Sequence, residues 1–144
     1  SEKPTRLPAV LVIHENRGLN EHIEDVARRV ALAGYLAIAP DGLSVAGGAP
    51  VDQEAARDLF AKTDGARIAG DVLAGVPWLA ADASSNGRIG AVGFCYGGGL
   101  ALRAAVEAEG LCGYVEVEIF SETWWSRSME DVLRTCIERY RSVV

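Results

Sequence analysis

Residues 9–14, Ala-Val-Leu-Val-Ile-His, form an apolar run between Pro8 and the polar turn Asn16-Arg17-Gly18. A run that does not alternate leaves no face for water, so it predicts a strand buried on both faces, in the middle of a parallel sheet. Parallel neighbours must be joined by crossovers, and the sequence supplies helical patterns of the right length. Asn20 caps an expected helix over 21–33, with Ile23, Val26, Ala27 and Val30 on one face and Gly34 as the stop. A second strand, Tyr35 to Ala39, ends at Pro40-Asp41-Gly42, and residues 43–50 read as a Gly/Pro-rich loop. Helices are expected at about 52–61 and, after Asp64, at 66–81, where Gly75 and Pro77 weaken or kink the second. Asn86-Gly87 reads as a turn, Arg88 to Phe94 as a third buried strand, and an Ala-rich helix then runs to about Ala108. This order predicts an α/β fold with a doubly wound, mainly parallel sheet whose ligand chemistry lies at the carboxyl ends of the strands.

Composition narrows the function classes. The 144 residues fit one domain, and no apolar run approaches the roughly 18 residues of a membrane span. Residues 1–8 lack the apolar core of a secretory signal, so a soluble, cytoplasmic protein is expected. The net charge of -6 and the lack of a basic cluster argue against nucleic acid. Cys95, Cys112 and Cys136 show no CxxC spacing, so neither a disulfide framework nor a zinc site is indicated. All 22 alanines fall within residues 1–110, whereas residues 111–144 hold none but carry two of the three Trp and the only Met. The expected organisation is therefore a core over 1–110 and an atypical tail over 111–144 within the same domain. In that tail Tyr114 to Phe120 alternates like an edge strand, and Ser128 and Asp131 resemble a capping box ahead of an amphipathic helix.

Gly93-Phe94-Cys95-Tyr96-Gly97 has the G-x-nucleophile-x-G form of a nucleophile elbow, with Cys as the nucleophile. The strand-to-helix turn is so tight that side chains at the flanking positions would collide. Cys95 would stand at a helix N-terminus, where unpaired N–H groups favour anions. The N–H of Tyr96 would be one oxyanion donor, and a second is expected from the loop after the first strand, around Glu15 and Asn16. A buried, inert cysteine in a Gly-rich turn fits the same spacing. So does a dinucleotide-binding unit, with Gly93-x-Cys95-x-x-Gly98 as the fingerprint and Glu118 as the ribose acceptor, although a Cys side chain would intrude on the pyrophosphate.

Three blocks taken together are more specific. Val12-Ile13-His14-Glu15-Asn16-Arg17-Gly18-Leu19-Asn20, then Ala39-Pro40-Asp41-Gly42-Leu43-Ser44, then Ile89 to Gly99 resemble the dienelactone hydrolase (carboxymethylenebutenolidase-like) family of α/β-hydrolases over about residues 8–108. The resemblance implies a truncated α/β-hydrolase fold, hydrolysis of an ester or lactone bond through a thioester on Cys95, and Glu15 as the carboxylate that contacts the thiol. It implies no metal or cofactor. The family's triad continues with an Asp and a His beyond the nucleophile, but this sequence has no histidine after His22 and only Asp131 after Cys95. An impaired hydrolase is therefore expected. The family arginine that binds the substrate carboxylate falls near Gln53, with Arg57 one helical turn away as a stand-in.

The remaining polar candidates have plainer expectations. His14 ends a buried strand and is expected to bond a neighbouring backbone group, and His22 to lie on a solvated helix face. Glu116 and Glu118 are expected to face solvent on the edge strand. Trp124 and Trp125 fit either an interface or a cover for the sheet edge. A noncatalytic remnant that self-associates through an exposed sheet edge, as a homodimer, is the alternative from a different class.

Overall fold

The computed structural model describes residues 6–107 and 126–141. β1 (Leu7–Ile13) lies between β2 (Leu36–Ile38) and β3 (Ser85–Gly93), and both pairings are parallel. The apolar run thus becomes the central strand, with Ala9, Leu11, Val12 and Ile13 almost fully removed from water.

The described residues form six helices: α1 (Glu21–Leu32), α2 (Gln53–Lys62), α3 (Gly65–Leu73), α4 (Gly75–Ala81), α5 (Tyr96–Glu107) and α6 (Met129–Arg141). The Asn20 side chain accepts from the Ile23 N–H at 3.1 Å, and Gly34, at φ +94°, ends the turn beyond α1. Asp52 and Asp64 cap α2 and α3 in the same way. The helix expected over 66–81 is two helices that meet at Ala74. A Cβ on Gly75 would lie 2.7 Å from Leu11 Cδ1, so the glycine that weakens the helix also lets it approach the central strand. Ser44–Ala46 form a 3-10 turn within the expected loop.

One face of β1 packs Ala9, Leu11 and Ile13 against Ile68, Val72, Leu79 and Leu100 from α3, α4 and α5. Against the other face lies α1, leaving an open apolar groove of about 360 Å³ lined by Val10, Val26, Val30, Tyr35 and Val92. Helices on both faces of a parallel sheet make this an α/β, doubly wound fold. The groove is on the sheet face and not at the strand ends.

β3 corrects one expectation. It is largely exposed rather than buried, because β1 flanks only one of its edges and the other is unpaired among the described residues. Asn86-Gly87 is not a separate turn but lies inside the strand. Gly87 has φ +84°, and the ladder slips there, from Leu7 opposite Ser85 to Ala9 opposite Ile89, as in a bulge.

The chain divides into two compact units, residues 1–105 and 106–144. In the second, the Ser128 hydroxyl accepts from the Asp131 N–H at 3.1 Å, which is the expected cap of α6. The expected strand Tyr114–Phe120, with Glu116 and Glu118, lies outside the described residues, as do Cys112, Trp124 and Trp125. Among the described residues no helix is long and apolar enough to cross a membrane.

The loops at the carboxyl ends of β1 and β2 are tied together by Asp41. Its Oδ1 accepts from the N–H groups of Leu19 (3.1 Å) and Leu43 (3.0 Å), and its Oδ2 from that of Ala49 (2.7 Å). Gly18, at φ +69°, is held so close that a Cβ would lie 2.8 Å from Asp41 Oδ1. Replacing Asp41 by Ala strands three backbone donors, so urea denaturation should show a loss of about 2–4 kcal/mol. Asp41→Asn retains one acceptor oxygen and should lose less. Equal losses in the two variants would contradict the assignment of Leu19 and Leu43 to one shared oxygen.

Candidate active site

The elbow depends on an absence of side chains. A Cβ on Gly93 would lie 2.0 Å from the Gly97 carbonyl oxygen, and one on Gly97 would lie 2.5 Å from the His14 oxygen and 2.6 Å from that of Ile13. Each obstacle is backbone and cannot swing aside. The turn is closed by the Gly97 N–H donating to the Phe94 oxygen at 2.8 Å and the Gly98 N–H to the Cys95 oxygen at 3.0 Å. Between the two glycines, Cys95 is the sole described non-glycine residue at positive φ, +52°. Its free thiol is exposed, contrary to an inert buried cysteine. Strain of this kind persists where surrounding structure enforces it and is concentrated at functional sites.

The same approach brings the end of β1 beside the elbow, since the Phe94 N–H donates to the Ile13 oxygen at 3.3 Å. Glu15, Asn16 and Arg17 continue from that point. Tyr96 is the first residue of α5, where an N–H has no intrahelical acceptor, and the Asn16 N–H likewise has no hydrogen bond among the described residues. Glu15 is partly exposed, and its Oε2 lies 3.9 Å from Arg17 Nη1.

His14 is fully buried and both ring nitrogens are engaged. Its Nε2 accepts from the Gly42 N–H at 2.9 Å, which leaves Nδ1 to donate to the Glu15 carbonyl at 2.6 Å. A Cβ on Gly42 would come 2.9 Å from that Nε2. Histidine here is a structural bridge between the β1 and β2 loops, as expected, and has no nitrogen left for proton transfer. His22 is exposed, as expected, but its ring also meets the Phe94 ring at 5.8 Å, edge on.

Beside the nucleophile, Tyr96 packs edge to face on Phe60 of α2 with ring centres 4.9 Å apart, and Phe60 in turn meets the His14 ring. The Tyr96 hydroxyl donates to the Gly65 carbonyl at 3.3 Å, and burial pushes its pKa up, with Arg103 pulling partly the other way. Tyr96 therefore stays a neutral donor at physiological pH. Sequence periodicity does not reveal the Phe60–Tyr96 pair or the Glu15–Arg17 pair, since neither shares an element. Arg57 is exposed on α2 and makes no hydrogen bond or ion pair among the described residues, so no polar contact there joins it to the elbow. The described residues hold no group of three or more His, Cys, Asp or Glu placed to bind a metal.

Comparison with known proteins decides the family, because the sequence model of the dienelactone hydrolase family matches residues 1–117. The chain belongs to the dienelactone hydrolase family. It is 58% identical over 66 residues to YghX, a candidate hydrolase fragment of Escherichia coli K12, covering 43% of this chain and 56% of that protein. It is 38% identical over 96 residues to a candidate carboxymethylenebutenolidase of Salmonella typhi, covering 64% of this chain and 35% of that one. A candidate dienelactone hydrolase structure from Klebsiella pneumoniae superposes with a TM-score of 0.58 at 34% identity, over 73% of this chain and 45% of that one. A dienelactone hydrolase-like promiscuous phosphotriesterase from metagenomic libraries gives 0.54 at 30% identity, over 74% and 45%. The fold is thus that of the α/β-hydrolases, and the chain spans about half or less of the length of these relatives.

Steric crowding at the two elbow glycines has a measurable consequence for stability. Gly97→Ala and Gly93→Ala should each cost about 2–4 kcal/mol of stability or abolish folding. Gly99→Ala, where a Cβ would meet nothing within 4 Å, should be neutral or stabilising. Thermal unfolding in which all three alanine variants behave alike would contradict the account.

Proposed function

We propose that this chain carries the nucleophile-bearing half of an ester or lactone hydrolase in which Cys95 attacks the substrate carbonyl. The observation that carries this reading is Cys95 at φ +52° on an exposed turn between two glycines with no room for a Cβ. The thiolate of Cys95 adds to the carbonyl carbon, and the Tyr96 and Asn16 N–H groups donate to the oxyanion as it forms. Collapse expels the alcohol and leaves a thioester on Cys95, which water then hydrolyses to the free acid and thiol. Glu15 takes the thiol proton before attack, and Arg57 anchors a substrate carboxylate. No metal or cofactor enters these steps.

Deacylation needs a base to activate water, and His14 is committed to two backbone groups. For this chain alone p-nitrophenyl acetate should therefore give a burst of about one p-nitrophenol per chain followed by little turnover, and Cys95→Ala should remove the burst. Sustained turnover that disappears in Cys95→Ala would contradict the missing base but keep the nucleophile. A burst unchanged in Cys95→Ala would refute the nucleophile.

A second reading, a noncatalytic chain that self-associates, is favoured by the outer edge of β3, which is unpaired among the described residues. It predicts a homodimer by light scattering with no burst. A monomer mass across a wide concentration range would contradict it.

A further inference from the structure

Asn86 and Gly87 lie where β3 slips against β1. Leu7 pairs with Ser85 and Ala9 with Ile89, so Asn86, Gly87 and Arg88 stand opposite Pro8 and have no partner in β1. Proline has no N–H to offer the bulge. The other edge of β3 is unpaired among the described residues, and Asn86, Gly87 and Arg88 are all exposed. Two local bonds shape the bulge instead. The Gly87 N–H donates to Ser85 Oγ at 3.1 Å, and the Arg88 N–H donates to Asn86 Oδ1 at 3.0 Å. The ring closed by the second bond contains both the Asn86 side-chain carbonyl carbon and the Gly87 nitrogen. Gly87, at φ +84°, brings no Cβ to crowd that nitrogen.

We propose that Asn86 is a self-modification site, at which the Gly87 nitrogen of the folded protein attacks the Asn86 side-chain amide and converts the asparagine to aspartate and isoaspartate. Hydroxide removes the Gly87 amide proton, and the nitrogen bonds to Cγ. Charge gathers on Oδ1 as this bond forms, and the Arg88 N–H already donates there. The Cγ–Nδ2 bond then breaks, and ammonia leaves with a proton taken from water, which restores the hydroxide. A five-membered succinimide remains, and water opens it. Entry at Cγ restores the main chain as aspartate, whereas entry at the backbone carbonyl carbon routes the main chain through Cγ as isoaspartate. Both products place a carboxylate on an exposed strand, where charge opposes pairing with another chain. Asp41 also precedes a glycine, but its carboxylate accepts from three N–H groups and the Gly42 N–H donates to buried His14, so the same ring closure is blocked there. Asn20 Oδ1 is held by the Ile23 N–H, and neither Asn16 nor Asn20 precedes a glycine.

The test is incubation of the full chain in oxygen-18 water, from neutral to mildly alkaline pH, followed by peptide mapping. The peptide containing Asn86 should convert to two acidic products of equal mass that chromatography separates, each with one oxygen-18 atom, at a rate that rises in proportion to hydroxide. Asn16 and Asn20 should keep their amides, and Asp41 should form no isoaspartate, over the same period. Conversion in the native chain should run at a rate close to that of the chain unfolded in guanidinium. A native rate lower by more than about tenfold would mean that the bulge must open before it reacts and overturns the proposal. Aspartate formed without isoaspartate also overturns it, because direct hydrolysis of the side-chain amide would then replace attack by Gly87. Equal conversion at Asn16 or Asn20 in the native chain overturns the assignment to the bulge.

Discussion

Backbone touching backbone at Gly97 is the constraint on which the rest of the site depends. The first turn of α5 lies against the end of β1 so closely that a methyl group would overlap the carbonyl oxygens of Ile13 and His14. Gly93 meets the same limit against Gly97. With both positions reduced to hydrogen, the chain passes from strand to helix in the fewest residues, and the strain falls on Cys95 at φ +52°. The stability of β1 and the exposure of the thiol are therefore one property, since any loosening of the strand end removes the surface against which the elbow is bent. The burial of Leu11, Val12 and Ile13 supplies that rigidity.

A second layer of polar contacts fixes the loops around the elbow. His14 spans from the β1 end to Gly42, and Asp41 spans from the β2 end to Leu19 and Ala49, so the two loops are cross-tied by adjacent residues of the Pro40-Asp41-Gly42 turn. Each tie satisfies backbone donors that no helix or strand could reach. A histidine next to a candidate nucleophile invites a catalytic role, but its two bonds define its tautomer and occupy it.

Much of this was legible in the sequence. The unbroken apolar run became the central strand, Asn20 capped α1, and Gly75 with Pro77 marked where one expected helix became two. Residue spacing was enough to place Cys95 at the elbow. The exposure of β3 was not legible, because an apolar run reports what a strand can bury and not whether a neighbour lies beside it. The Asp41 clamp was hidden for another reason: its partner Leu19 is 22 residues away, and nothing in local periodicity links them. Pairs such as Phe60 with Tyr96 and His22 with Phe94 likewise arise only when separate elements pack together. The matched extent of the dienelactone hydrolase family, residues 1–117, includes every residue of the elbow and of its supporting loops.

In the proposed reaction the bent backbone presents Cys95, and no other group, to an acyl carbon. Peptide mass mapping after brief exposure to p-nitrophenyl acetate and an acid quench tests it most directly. A single acetyl group is expected on the peptide containing Cys95, absent when the protein is first unfolded. Acetyl spread over Cys112, Cys136 or amines, or an equal yield from the unfolded chain, would contradict it.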